Sequence, residues 1–437
     1  MTSKLNPSIN SYEKLITVCF ILFVLACNFS VSLTQVAGYG GIALWLIQIY
    51  HSRSWDRTTW TLGWPFIILF LAGLLSVLNS IEPLSSLPYL KKLSLCLLFF
   101  CTVNTLNQTR LIDFFLWMSD FLKPSKLKII LTNWLNSHRA TPSTILLINI
   151  LILAGTASAC LGLFQVFSAG VGLDSRTDLR GTMSHTFTFS AILMTVVLLS
   201  FSRLILGHYR KIWLYASTFI ITLCLILTLT RLIWVGLFCG LILLTFIRKR
   251  ILIVIFPPLL VAGYFLSPLL IQERIQSITD LNSGSNPLRL QMWNASLDVI
   301  SDYPLTGCGF NCLYKIHDQY PQHPILQEFY YNLHSNIFQI TVDTGLIGLA
   351  AWLGLWVAYF TVVYRKLRNR SPQSPPQWIL CGSAASVLSF LIAGLFETNF
   401  YDSEVVMVLY FIMALPFVST KTSQGTTKDP SLSRPSR

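Results

Sequence analysis

The chain has 437 residues, 53% of them hydrophobic and only 11% charged, and a formal net charge of +13. A water-soluble domain of this length is excluded, since about a quarter of such a domain is charged. A nucleic-acid binder is excluded as well, because Lys and Arg fall in short clusters between apolar runs and make no continuous stripe. What remains is an all-α, polytopic integral membrane protein whose partner is the lipid bilayer, with no nucleic acid.

The first apolar run, Leu15 to Leu33, has no small-residue cleavage site after it and reads as a retained helix, not a signal peptide. Further runs follow at about Val36 to Tyr50, Trp60 to Asn79, Leu87 to Leu106, Ser143 to Phe167, Ser184 to Leu206, Ile212 to Leu229, Leu232 to Ile247, Ile251 to Ile271, Asn336 to Tyr364, Trp378 to Phe396 and Val405 to Val418. That predicts about twelve transmembrane helices, each near the roughly 20 residues that a hydrocarbon core requires. Between the fourth and fifth runs, Arg110 to His138 mixes Trp, Phe and Leu with Lys and Arg around Pro124 and predicts two interfacial amphipathic helices.

With the N-terminus inside, the cytoplasmic loops collect Arg53 and Arg57, Arg110 to Arg139, Arg203 to Lys211, Arg248 to Arg250 and Arg365 to Arg370, a positive-inside pattern. The tail 420–437 is polar, lacks periodicity and is expected to be disordered in the cytoplasm. The opposite face keeps a minority of cations: Lys91, Lys92, Arg176, Arg180, Arg231, Arg274, Arg289 and Lys315. His334 lies on that face too.

Taken in order, Arg180 opens the outer end of a span, with Asp174 and Asp178 as credible partners. Arg231 sits in a turn between two apolar helices with no carboxylate three or four residues away, which reads as a functional cation or as a snorkelling interfacial one. The long hydrophilic segment 272–335, between the ninth and tenth spans, starts with a predicted amphipathic helix from Asn286 that stops at Tyr303-Pro304. Arg289 on that helix has no acidic neighbour at helical spacing, so its fork is either available to an anion or stacked on Trp293. Gly307 and Gly309 supply a tight, positive-φ turn. Cys308 and Cys312 share this segment, and of the two readings, buried thiols or a disulfide, thiols are expected. His334 stands where the segment re-enters the membrane, as a general base or as a hydrogen-bonded packing residue. Glu397, Asp402 and Glu404 lie at the mouth of the last two spans, placed to pair with the arginines or to hold a cation.

These residues resemble the O-antigen ligase and O-antigen polymerase superfamily of bacterial membrane proteins. The resemblance is carried by Arg289 and Trp293, by Pro304 to Phe310, by His334 and Asn336, and by Thr344 to Leu349. It implies one transmembrane domain over residues 1–419, of which 272–335 is a large periplasmic loop, in a bacterial inner membrane with both termini cytoplasmic. It implies a metal-independent, inverting glycosyltransferase without cofactor. The donor would be a glycan on a polyprenyl diphosphate, such as undecaprenyl diphosphate, and the acceptor a hydroxyl of lipid A core, glycan or protein, as in lipopolysaccharide synthesis. His334 would be the catalytic base; Arg231, Arg289 and Arg180 would bind the diphosphate; Trp293, Asn336, Gly307 and Gly309 would support them. At Met183 to Thr186 the sequence departs from the family's pattern, which weakens the role of Arg180. The alternative is a membrane transporter or transport accessory related to inorganic-carbon (bicarbonate) uptake. Against it, the polar groups gather at one surface and no clear repeat relates the two halves.

Overall fold

The computed structural model describes residues 11–106, 111–120, 125–138, 141–168, 179–207, 211–282, 284–328, 331–370 and 374–418. The 420–437 tail, Arg176, and the partners expected for Arg180, Asp174 and Asp178, lie outside them. Helices make up the chain and no strand occurs among the described residues. They are α1 (Ser11–Ala26), α2 (Val31–Ser52), α3 (Gly63–Leu78), α4 (Pro83–Thr105), α5 (Leu111–Ser119), α6 (Lys126–Ser137), α7 (Ser143–Ser168), α8 (Thr186–Leu206), α9 (Ile212–Leu227), α10 (Arg231–Arg248), α11 (Phe256–Leu266), α12 (Leu269–Thr279), α13 (Asn286–Asp302), α14 (Asn336–Arg368), α15 (Gln377–Ala393) and α16 (Ser403–Ala414).

The protein is a multi-pass membrane protein. By length and apolarity, α4, α7, α8, α10 and α14 suffice to cross a bilayer, and α3, α9, α11, α15 and the run Ser403–Phe417 are apolar but shorter. The first two expected spans divide earlier than the apolar pattern predicts, because Ser30 caps α2 by accepting from the amide of Leu33. The ninth expected span is also not one helix. Pro257 and Pro258 begin α11 instead of interrupting a longer helix, and the chain breaks again at Ser267-Pro268 before α12. The two amphipathic helices expected around Pro124 are α5 and α6.

The central helices owe their closeness to small residues. A Cβ on Gly236 would come within 2.7 Å of the Ser389 carbonyl oxygen, and one on Gly240 would meet the Ser389 side chain, so α10 lies directly against α15. That contact brings the start of α10 beside the end of α15. The same end of the bundle receives the start of α8 and the start of α14.

The hydrophilic segment is a small lobe with a core of its own. Met292, Ala295 and Val299 of α13 pack on Leu313, Ile316, Leu326 and Leu333. Cys308 and Cys312 are joined there as a disulfide, with Cα atoms 5.7 Å apart, so the expected thiols are corrected.

The lobe is locked to the bundle where α14 breaks. The sequence reads as one continuous span there, but Gly345 takes φ +68° and splits α14 into two halves. A break frees backbone groups that need partners. The Pro304–Gly309 strip supplies them: the amides of Cys308 and Gly309 donate to the carbonyls of Val342 and Asp343, at 3.0 and 3.1 Å. In return, the amides of Leu346 and Ile347 donate to the carbonyls of Pro304 and Leu305, at 2.8 and 3.2 Å. Gly307, at φ +68°, lets the strip come this close, since a Cβ there would stand 2.5 Å from the Val342 carbonyl oxygen, while Gly309, at φ +100°, leaves room for Ser80 and Ser86.

Candidate active site

Between α8, α10, α12, α13 and the loop after α15 lies a cavity of about 390 Å³, within the roughly 300–1,000 Å³ of small-molecule sites. Among the described residues its walls carry Arg231, Arg274 and Arg289 from three different helices, with Thr186, Thr230 and a single carboxylate, Glu397. Three cations face one anion. Arg231 and Thr186 are also the first residues of α10 and α8, so two helix N-termini add positive potential to the same space.

Arg231 and Arg274 donate to neutral oxygen atoms of the lobe and the turns. Arg231, only 5% exposed, donates to the Ser277 carbonyl and, at 3.3 Å, to the Asn286 side chain. Arg274 donates from Nε to the carbonyl of Leu229 at 2.8 Å. Next to them, Leu232, Val235, Ile278, Leu281, Leu290 and Phe396 line a narrow apolar cleft that shares Arg231 and Arg289 with the cavity.

Arg289 does have an acidic partner, which local spacing along α13 did not reveal. Its Nη2 lies 3.5 Å from Oε2 of Glu397, 108 residues away, and its buried Nε makes no hydrogen bond. Trp293 does not stack on Arg289; it stacks on Phe338 with ring centroids 5.3 Å apart. Burial pulls the Arg289 guanidinium below its ordinary value, and Glu397 only partly offsets this. The guanidinium stays charged all the same, so it remains an under-compensated cation facing the cavity.

The other oxygen of Glu397 belongs to His334. Nδ1–H of His334 donates to Oε1 at 2.8 Å. Burial alone would raise the Glu397 carboxyl, but the hydrogen bond and charge of His334 and the charge of Arg289 hold it below the usual carboxylate value. Because an ionised carboxylate only accepts, Nδ1 is the donor, and whenever the ring is neutral its lone pair sits on Nε2. That is the arrangement of a carboxylate-oriented base. His334 does not line the cavity; the Glu397 carboxylate joins it there.

The chain around His334 is held at nearly every polar atom. His334 itself is in the left-handed region at φ +48°, a conformation His tolerates better than most residues. Its amide donates to Asn332 Oδ1 at 2.7 Å, and the Leu333 amide donates to Gln339 Oε1 at 3.0 Å. Nε1–H of Trp293 donates to the Leu333 carbonyl at 2.9 Å. Asn336 ties the start of α14 to the Glu397 loop: its amide donates to the Gly394 carbonyl, its Nδ2 to Asn399 Oδ1 at 2.6 Å, and its Oδ1 accepts from Phe400 N. Replacing Asn336 with Ala removes the donor to Asn399 Oδ1 and the acceptor of the Phe400 amide. We expect a loss of about 1–3 kcal/mol, read as a lower unfolding midpoint in detergent.

Arg180 is elsewhere. It borders a separate, open recess of about 570 Å³ with Phe29, Gln165 and Thr182, and donates to the Ser184 carbonyl at 3.2 Å. Asp402 and Glu404 are also apart from the arginine cavity, since Asp402 caps α16 and accepts from Thr188 at 2.6 Å, while Glu404 accepts from Gln35 at 2.7 Å. Sequence reasoning gave no role to Arg274 and did not connect Glu397 to His334.

The family description O-antigen ligase matches residues 216–353. The chain is related to the O-antigen ligases. No curated protein matches it. The O-antigen ligase match places this membrane protein in polysaccharide biosynthesis as a glycosyltransferase-type enzyme. It contains Arg231, Arg274, Arg289 and His334 but ends before Glu397, and Arg180 precedes it.

Proposed function

We propose that this chain moves an oligosaccharide from a polyprenyl-diphosphate carrier to an acceptor hydroxyl on the outward face of a bacterial inner membrane. One observation carries the reading: three arginines from separate helices line one cavity, and its only carboxylate among the described residues also holds His334. A diphosphate linked at both ends bears two negative charges, which match three guanidinium groups less one carboxylate. The adjoining apolar cleft gives the carrier's first isoprene units a wall to lie on.

The reaction then needs one displacement. His334 Nε2 takes the acceptor's proton, the acceptor oxygen bonds to the anomeric carbon, and the bond from that carbon to the diphosphate breaks with its electron pair on the phosphate oxygen. The anomeric centre inverts. The leaving diphosphate gains a negative charge, which Arg231, Arg274 and Arg289 stabilise more strongly than they stabilise the donor. Cleaving the sugar–diphosphate bond drives transfer, so no nucleotide is required.

The surface polysaccharide of a strain lacking this chain tests the reading. Loss of all attached chains identifies a ligase and single attached units identify a polymerase, whereas an unchanged profile refutes both. Complementation with His334→Ala should restore membrane protein but leave transfer roughly 10²- to 10⁴-fold slower, the usual contribution of a positioned base.

A further inference from the structure

Glu397 is an anomaly in the cavity it lines. Every other charged side chain among the described lining residues is a cation, and a carboxylate in an anion site weakens anion binding. Its side chain is 16% exposed and its neighbours are Arg289 on Oε2, His334 on Oε1, and Arg231 and Arg274 around the cavity. Oε1 also accepts from the Thr398 amide at 3.2 Å, so the carboxylate is anchored to its own loop and does not follow Arg289 if that side chain turns. The two ties differ in quality. The bond to His334 is 2.8 Å, while the one to Arg289 is a single contact of 3.5 Å from a guanidinium whose Nε has no partner.

We propose that Glu397 is a positioning residue shared by the base and the diphosphate site: a donor diphosphate competes for Arg289 and, in taking it, leaves the carboxylate to His334 alone. This rests on the reading of the cavity as a diphosphate site. A phosphate group near Arg289 offers its Nε and Nη2 two oxygen atoms, a bidentate partner that the 3.5 Å contact does not supply. Once Arg289 turns to it, the undivided negative charge of Glu397 stabilises the imidazolium that forms as the acceptor loses its proton. The base is therefore strongest when the donor is in place, and acceptor activation without a donor is disfavoured. Glu397 thus weakens donor binding and speeds transfer, two effects of opposite sign that a residue serving only to hold loops together would not produce.

The test compares full-length wild type, Glu397→Gln and Glu397→Asp, with farnesyl diphosphate as a short polyprenyl-diphosphate probe. Binding is measured by titration calorimetry in detergent, and transfer from the surface glycan of complemented deletion strains. Glu397→Gln should bind the probe roughly three- to tenfold more tightly, because one like charge has left the site, and should transfer roughly 10²-fold more slowly. Glu397→Asp keeps the charge but is one methylene too short to reach both partners; it should bind as wild type does and transfer at least roughly tenfold more slowly. If wild type does not bind the probe, the diphosphate site and this inference both fall. If wild type binds but Glu397→Gln loses binding along with transfer, or keeps full transfer, this inference alone is overturned. The same holds if Glu397→Asp transfers normally.

Discussion

Replacing Arg289 with Ala should abolish glycan transfer, by roughly 10³- to 10⁵-fold, on the scale of an arginine that stabilises a departing phosphate. Protein should remain in the membrane fraction at wild-type level. The size of the effect follows from where the charge develops. Arg289 lines both the arginine cavity and the apolar cleft, at their junction, where the diphosphate of a lipid-linked donor would meet its first isoprene unit. It is buried, poorly compensated by Glu397, and has a buried Nε with nothing to donate to. A donor with that much unused capacity interacts more strongly with an oxygen that is gaining charge than with one that is not. Arg289→Lys keeps a point charge and loses the fork, so it should retain a fraction of transfer. Immunoblotting of membranes beside a carbohydrate-stained gel of the same cells gives the answer. Normal surface glycan in the Ala strain, with the protein present, would sink the proposed chemistry.

The parts of this site that were legible in the sequence are those that the bilayer itself sorts. Positive-inside counting and the placement of apolar runs group Arg231, Arg289 and His334; Arg231 and Arg289 line one cavity, and His334 reaches it only through the Glu397 carboxylate. Arg180 was gathered by the same reasoning but borders another recess, because sharing a face says nothing about position across it. A pairing of Glu397 with the arginines was expected from its place at the mouth of the last two spans, but that its partner is Arg289 was not legible. Helical spacing reveals partners three or four residues away, and this one is 108 residues away on the far side of the lobe.

The break in α14 was hidden by its own composition. Thr344-Gly345-Leu346-Ile347 is as apolar as the turns beside it, and one glycine inside a helical pattern is ordinarily tolerated. What decides the matter is a backbone ladder to residues 304–309, which leaves no mark on periodicity. Two motifs that look independent in the sequence, the glycine pair at 307 and 309 and the Thr-Gly at 344–345, are the two halves of one contact.

That contact makes Gly345→Val the most damaging single change we expect for folding. At φ +68° a β-branched residue is strained on its own account, by about 1–3 kcal/mol. Its Cβ would also stand 2.2 Å from the Leu305 carbonyl oxygen and 2.5 Å from the Thr306 amide nitrogen, both backbone atoms with nowhere to retreat. If residues 304–309 move away to make room, the four hydrogen bonds across the break are lost and buried backbone groups are left without partners, at about 1–3 kcal/mol each. If α14 instead straightens into a continuous helix, its first half swings, and with it Asn336, the Glu397 loop it ties down, and His334 just before it. Either route costs more than a typical domain's single mutations do. The expected outcome is little full-length protein recovered in mild detergent, together with loss of transfer. Gly345→Ala, with a smaller backbone penalty and a smaller clash, should lie between Val and wild type in yield. A Val variant that purifies with a wild-type unfolding midpoint would mean that the strip and the helix break are not coupled.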